Sequence, residues 1–326
     1  MGKPKKKYYA GIDIGGTKLL TAIFDKDLRL LNTEKAKVEV SKGRAYFLDT
    51  LTGTLESALK KSGLDLKNLK AVGLGCPGII QKSEGRVAVS PNLPFLKHFP
   101  LAKKLSDRLK TKVVIENDVN AGLYGEFRFG AAKGYKHVIG IFLGTGIGGG
   151  VILNGELFYG ASGAAGEIGH MNVRENGKLC GCGQRGCLES EAGRIAIASE
   201  AAVLAARQKA RNLYKLAGTE VSKIKSGVLA KAIAHGDRAI EELIIEKSKL
   251  LGRAMAGIAN LLSPELFVLG GGLVEALGKT IVGTARDAMH DYAMPDVVRP
   301  IKVVPAKLKD YAGVIGAACL AAEQAD

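Results

Sequence analysis

A chain of 326 residues, 47% apolar and 24% charged, is long enough to bury a sizeable core, and this composition excludes disordered and fibrous proteins. The formal charge of +15 admits anionic partners of several kinds, but the excess is spread over Lys3, Lys5, Lys6 and Lys7 and over a stretch from Arg207 to Lys231, the pattern of a solvated tail and solvated helix faces and not of a nucleic-acid footprint. No apolar run reaches the roughly 18 residues of a membrane span, and no apolar signal core follows the basic N-terminus, so a cytoplasmic protein without membrane association is expected.

Tyr8 to Ile14 alternates as a short strand, Gly15-Gly16-Thr17 turns it, and Leu19 to Phe24 and Leu28 to Val38 continue an antiparallel sheet. A helix near Arg44 to Lys61 and a buried strand Ala71 to Gly75 follow. Beyond a loop come a helix at Leu101 to Leu109 and a strand at Lys112 to Ile115. Asn117 or Asp118 stands where that strand gives way to a helix running to about Phe129. Val138 to Leu143 enters a second glycine turn and emerges as Gly150 to Leu153, so the pattern of strand, glycine turn and strand occurs twice, a sign of duplicated architecture. Ala192 to Leu262 reads as mostly helical, Leu266 to Leu269 as a final buried strand ending in Gly270-Gly271-Gly272, and Tyr311 to Gln324 as an alanine-rich helix returning to the first domain. Two domains are expected: residues 1–116 completed by 311–326, and 117–310.

The 43 glycines cluster without a fixed period, which points to tight turns and close backbone approach to a ligand. In Gly11-Ile12-Asp13-Ile14-Gly15-Gly16-Thr17-Lys18 a carboxylate ends a strand, where it can hold hydrated Mg²⁺, and the following turn offers N–H groups and Thr17 to phosphate oxygens. An ordinary hairpin turn is the plain alternative. Gly144-Thr145-Gly146-Ile147-Gly148-Gly149-Gly150 supplies a second turn of the same kind, and two such turns can cradle a triphosphate. That run also satisfies G-x-G-x-x-G, but Val151 to Glu156 continues as β-structure where a dinucleotide site needs a helix. A P-loop fails too, because five residues separate Gly272 from Gly278-Lys279-Thr280 where the motif has four.

His170, Cys180, Cys182 and Cys187 are spaced H-x₉-C-x-C-x₄-C. Three thiolates and an imidazole complete a tetrahedral zinc site with no open position, so the metal is expected to be structural. Cys76 and Cys319 stand alone and read as buried apolar residues. Glu116-Asn117-Asp118-Val119-Asn120 follows an apolar strand; a helix N-cap is the plain reading, and a catalytic carboxylate competes with it because Glu167, His170 and Glu189 bring further sugar-binding chemistry.

Taken together and in this order, GIDIGGTK, ENDVNA, LGTGIGGG, GAAGEIGH and CGCGQRGCLE resemble the ROK family of repressors and sugar kinases, with the likeness running from Gly11 to the last helix. The resemblance implies the two-lobed α/β fold of actin, Hsp70 and the sugar kinases (ribonuclease H-like) with a zinc-binding loop, the lobes hinged over a cleft. It implies Asp118 as general base, with Asn117, Glu167, His170 and Glu189 on the sugar. Asp13 would organise Mg²⁺, while Gly15, Gly16, Thr17, Lys18, Thr145 and Gly146 would serve the ATP phosphates and Gly271 and Gly272 would border the adenosine. His170 would bind zinc through one ring nitrogen and the sugar through the other. The expected function is ATP-dependent phosphorylation of a hexose, with glucose the choice and N-acetylmannosamine, fructose, mannose and allose as alternatives, in a homodimer. Repressors of the family carry a helix-turn-helix domain ahead of the first glycine turn, and only ten residues precede Gly11 here, so a kinase is expected over a sugar-sensing repressor.

Overall fold

The computed structural model describes residues 7–325, which leaves Lys3, Lys5 and Lys6 of the basic tail outside the described residues. In chain order the elements are β1 (Tyr8–Ile14), β2 (Lys18–Phe24), β3 (Leu30–Lys37), α1 (Gly43–Lys61), β4 (Leu69–Cys76), β5 (Ile79–Gln81), β6 (Arg86–Val89), α2 (Leu101–Leu109), β7 (Lys112–Asn117), α3 (Asp118–Phe129), β8 (Val138–Leu143), β9 (Ile147–Leu153) and β10 (Glu156–Leu157). They continue with α4 (Leu188–Ala192), α5 (Arg194–Ala206), α6 (Arg211–Ala217), α7 (Ser226–Ala234), α8 (Arg238–Leu262), β11 (Leu266–Gly270), α9 (Gly272–Tyr292), α10 (Pro295–Val298), β12 (Lys302–Pro305) and α11 (Ala312–Ala325). The segment read as a loop before α2 contains the β5–β6 hairpin. Its strands are too short for alternation to stand out, and Gly85 turns them with a positive φ of 58°.

The chain divides into two compact units. One takes the chain up to Gly134, Tyr159–Ala165 and the stretch from Asp310 onward; the other takes Tyr135–Phe158 and Gly166–Lys309. The sequence reading puts the boundary at 116/117, whereas α3 stays with the first unit. The cause is close backbone packing: a Cβ on Gly316 of α11 would lie 1.7 Å from the carbonyl oxygen of Ala121 in α3.

The first unit's sheet has the order β3-β2-β1-β4-β7, with β1, β4 and β7 parallel. Two-residue alternation sorts its side chains: Ile12, Ile14, Leu19 and Ile23 bury against Leu51, Leu55 and Leu59 of α1, while Tyr9, Leu20, Ala22 and Phe24 face Val314, Ala318 and Ala321 of α11. The second sheet, β10-β9-β8-β11-β12, repeats that order, again with an antiparallel hairpin followed by parallel strands. Phe267 and Leu269 of β11 share a core with Leu251, Met255 and Ala259 of α8, whose apolar positions recur at three- and four-residue spacing. Each half thus solves the same topological problem, as the repeated glycine turns suggest.

Close approach of α11 to the first sheet demands glycine on the strands beneath it. A Cβ on Gly73 would sit 1.9 Å from the carbonyl oxygen of Ala317, and one on Gly11 would sit 1.9 Å from that of Val314. Both obstacles are backbone atoms that cannot swing aside. Gly73→Ala is expected to destabilise the protein by about 3 kcal/mol through overpacking. Gly53→Ala, on α1 where an added Cβ meets nothing within 4 Å, is expected to be neutral or stabilising by up to about 1 kcal/mol. Urea unfolding of the two variants checks both values.

Candidate functional site

Parallel strands β1, β4 and β7 end together, and their register places Asp13, Gly75 and Glu116 side by side. The glycine turn after β1, the Pro77-Gly78 turn after β4 and Asp118 after β7 therefore share one edge of the sheet, the usual place for ligands in such folds. Gly75 lies between two acids: a Cβ there would be in ordinary van der Waals contact with both, 3.6 Å from Asp13 Oδ1 and 3.5 Å from the Cα of Asp118. Asp13 is also pressed against α11, with its carboxyl carbon 2.7 Å from the position of a Cβ on Gly313. Burial first, then the charges of Asp118 and Asp310, push the Asp13 carboxyl up to about 7, against a small opposing pull from Lys18. A carboxyl so buried, with further acids around it, suits a compensating cation, and oxygen donors at a strand end fit Mg²⁺. Lys18 and Thr17 are exposed at the turn, and Lys18 Nζ lies 3.9 Å from Asp310.

Asn117 caps α3: its Oδ1 accepts from Val119 N (2.9 Å) and Asn120 N (3.0 Å), and its amide nitrogen donates to Gly78 O at 3.0 Å. These bonds occupy the carbonyl oxygen and one amide hydrogen. Asp118, which opens α3, is half-buried, and its Oδ1 accepts from Val119 N at 3.0 Å. The sequence reading passed over Glu116. It is 2% exposed and accepts from Asn117 N (2.9 Å), Asn120 Nδ2 (3.3 Å) and the Tyr159 hydroxyl (2.8 Å), with Lys82 Nζ 2.9 Å away. The available signal was an acid at the end of an apolar strand, immediately before a cap.

In the second unit the turn 144–146 follows β8, and Gly271-Gly272 follows β11. Because β8 and β11 are parallel neighbours with Phe142 opposite Gly270, the two turns lie at the same edge. Gly271 has a φ of 86° and precedes α9, whose first N–H groups suit an anion. Glu189 supports the turn at 144–146: its Oε2 accepts from Ile147 N at 3.0 Å and leaves no room for a side chain on residue 146. Arg194, another residue missed from sequence, donates from Nη2 to Thr145 Oγ1 at 3.2 Å, which puts a guanidinium beside the turn.

His170, Cys180, Cys182 and Cys187 present ligand atoms all within 4.8 Å of one another. Cys182 and Cys187 are 3.7 Å apart at sulfur, and Cys180 Sγ is 3.6 Å from His170 Nδ1. A tetrahedron with Zn–S bonds of ~2.3 Å has edges of ~3.8 Å, so the group matches the size of a zinc site. Nδ1 faces the sulfurs and Nε2 lies 3.9 Å from Glu167 Oε2, leaving the two ring nitrogens with separate surroundings. Burial pushes the Cys187 thiol up to about 12, while the Gln184 N–H favours the thiolate of exposed Cys182. The loop carrying the cluster is held by charge: buried Glu191 accepts from Lys178 N at 2.7 Å and lies 3.6 Å from Arg174, while Lys178 and buried Lys247 both pair with Glu200. Cys76 and Cys319 are fully buried, in keeping with an apolar role.

Asp13 makes a pH prediction with a definite sign. Its carboxyl binds a proton more tightly in the folded chain, so its contribution to stability is full below pH ~4 and is lost as pH rises toward about 7. Asp13→Asn is therefore expected to raise the Tm by several degrees at pH 8 in magnesium-free buffer, with little change at pH 4, while Mg²⁺-dependent nucleotide binding is lost. Scanning calorimetry at the two pH values and nucleotide titration with and without magnesium check this.

The ROK family model matches residues 9–324. The glucokinase of Thermotoga maritima is 36% identical over 324 residues, which cover 98% of this chain and 99% of that one. The crystal structure of a ROK family glucokinase from Streptomyces griseus, in complex with glucose and AMPPNP, matches with a TM-score of 0.84 at 33% identity, covering 97% of this chain and 99% of the other. A xylose repressor from Caldicellulosiruptor bescii is 29% identical over 95% of this chain, which spans 76% of that protein. Motifs, two-sheet topology and full-length similarity agree, and the chain belongs to the ROK family, with the mixed α/β fold of its sugar kinases.

Proposed function

We propose that this protein transfers the terminal phosphoryl group of ATP to a hydroxyl of glucose, that on carbon 6, with Asp118 as general base. The observation that carries this reading is the sheet edge at which Asp13, covered by α11, and Asp118, at the head of α3, come together, in a chain 36% identical to a glucokinase. In the proposed reaction Asp118 takes the hydroxyl proton as the oxygen's electron pair forms the bond to phosphorus and the bond to ADP breaks. Asp13 would hold hydrated Mg²⁺, which would supply charge neutralisation on the phosphate oxygens. Gly15, Gly16, Thr17, Lys18, Thr145 and Gly146 bind phosphates, and Gly271 and Gly272 border adenosine. Asn117, Glu167, His170 and Glu189 grip the sugar, Asn117 through the amide hydrogen that its capping role leaves over. His170 with Cys180, Cys182 and Cys187 would hold zinc, which would fix the imidazole ring whose other nitrogen is proposed to meet a hydroxyl.

Among the described residues no helix is long and apolar enough to cross a membrane. We place the protein in the cytoplasm as a homodimer without nucleic-acid partners; its mass by light scattering checks the assembly. The relatives also include an N-acetyl-D-glucosamine kinase and the xylose repressor, which keeps two other readings in view. A coupled ADP-release assay over a hexose panel, ranked by kcat/KM, is expected to favour glucose. A preference for an N-acetylated hexose would replace it, and a sequence-specific gel shift at physiological salt without turnover would favour a repressor.

Asp118→Asn is expected to lower kcat by about two to four orders of magnitude while ATP still binds; turnover at the parental rate removes Asp118 from the role of base. Elemental analysis is expected to find one zinc per chain. Cys182→Ser is expected to lose the metal and to weaken sugar binding and lower Tm together, so a variant with full zinc and full activity overturns the metal assignment.

A further inference from the structure

Glu116 places a buried negative charge two residues before the proposed base, and every contact it makes bears on how that stretch of chain is held. Its Oε1 accepts from the backbone N–H of Asn117 at 2.9 Å and from the side chain of Asn120 at 3.3 Å. These donors flank Asp118 on both sides. Its Oε2 accepts from the Tyr159 hydroxyl at 2.8 Å and lies 2.9 Å from Lys82 Nζ. Lys82 in turn bonds the same hydroxyl and stands 3.8 Å from the centre of the Tyr159 ring. Burial and the neighbouring Glu116 raise the Tyr159 hydroxyl, which keeps it a neutral donor.

Simple stabilisation does not account for this arrangement. The Glu116–Lys82 pair is a weak source of stability, because Glu116 is taken out of water while Lys82, 31% exposed, keeps part of its solvation, and the desolvation of the acid offsets much of the attraction. Helix capping does not require it either, since Asn117 already satisfies the N–H groups of Val119 and Asn120. What Glu116 adds is orientation: one oxygen grips the strand-to-helix corner on either side of Asp118, and the other is tied to a cation and to Tyr159. That tyrosine begins the stretch Tyr159–Ala165, which the chain sends back into the first unit.

We infer that Glu116, anchored by Lys82 and Tyr159, is a positioning residue for Asp118, setting the direction from which the base meets the sugar hydroxyl. This rests on the kinase reading above. A carboxylate that must approach one hydroxyl along one line gains from a rigid corner, because misplacement by about 1 Å can cost 100-fold in rate.

The test is steady-state kinetics of Glu116→Gln, Lys82→Met and the double variant, each with a Tm and with hydrogen exchange at the amides of residues 117–120. In Glu116→Gln the new amide nitrogen faces two donors, so kcat is expected to fall 10- to 100-fold, with the KM for ATP within twofold of the parent and faster exchange at the corner. Lys82→Met leaves the buried charge unbalanced and is expected to lower kcat about 10-fold. The double variant removes the conflict, because the glutamine can donate to the Tyr159 oxygen, and kcat is expected to recover to within about threefold of the parent. Parental kcat in Glu116→Gln overturns the inference, as does a loss in which both substrate KM values rise and Tm falls together without rescue in the double variant. A parent chain that phosphorylates no hexose overturns the kinase reading and this inference with it, whereas an active parent with indifferent variants overturns this inference alone.

Discussion

Crowded negative charge at the end of three parallel strands is the constraint on which the first unit's chemistry depends. Burial first, and the neighbouring Asp118 second, disfavour the charged form of the Asp13 carboxyl at this sheet edge. The surrounding residues maintain that crowding: Gly313 lets α11 close over Asp13, and the register of β1, β4 and β7 fixes the spacing. Glu116 belongs to the same row yet has a different fate, because Lys82 and two hydroxyl or amide donors satisfy it. Two acids in one row thus differ in their compensation. One is paired with a lysine and hydrogen-bond donors; the other is pressed against α11.

The second unit uses the same strand order to different effect. Both edges carry glycine turns, but the second adds the N-terminus of α9 where the first adds carboxylates. Glu189 shows how closely the parts of this unit are joined: one oxygen holds the turn at Ile147, and the other lies 3.9 Å from the sulfur of Cys180. A change in the metal cluster therefore bears directly on the turn proposed to meet phosphate.

Much of this was legible in the sequence because the signals are local. Leu101–Leu109 and Val138–Leu143 stand out by periodicity, the metal cluster by spacing, and the N-cap by an Asx residue after an apolar strand. The β5–β6 hairpin escaped because strands of three and four residues carry too little pattern. Glu116 escaped for another reason. Its partners Lys82 and Tyr159 are far away in sequence, and nothing local distinguishes an acid that will be buried from one that will be solvated. Arg194 and Glu191 were hidden in the same way, their roles being set by tertiary contacts with Thr145, Lys178 and Arg174. The boundary between units moved because α3 and α11 interlock through glycines whose significance appears only when the two helices meet.

The path of the chain has a consequence for its synthesis. One face of the first sheet, with Tyr9, Leu20, Ala22, Phe24, Ala71 and Val114, is covered by α11, which lies near the far end of this sequence. A ribosome releasing the chain from its N-terminus makes that sheet long before it makes the cover. During the interval an apolar surface is exposed to water and to other nascent chains, and the intervening unit can fold first. The earliest part of the protein to be made is thus among the last to be finished. The close packing that demands glycine at positions 11 and 73 therefore forms only once a late helix arrives.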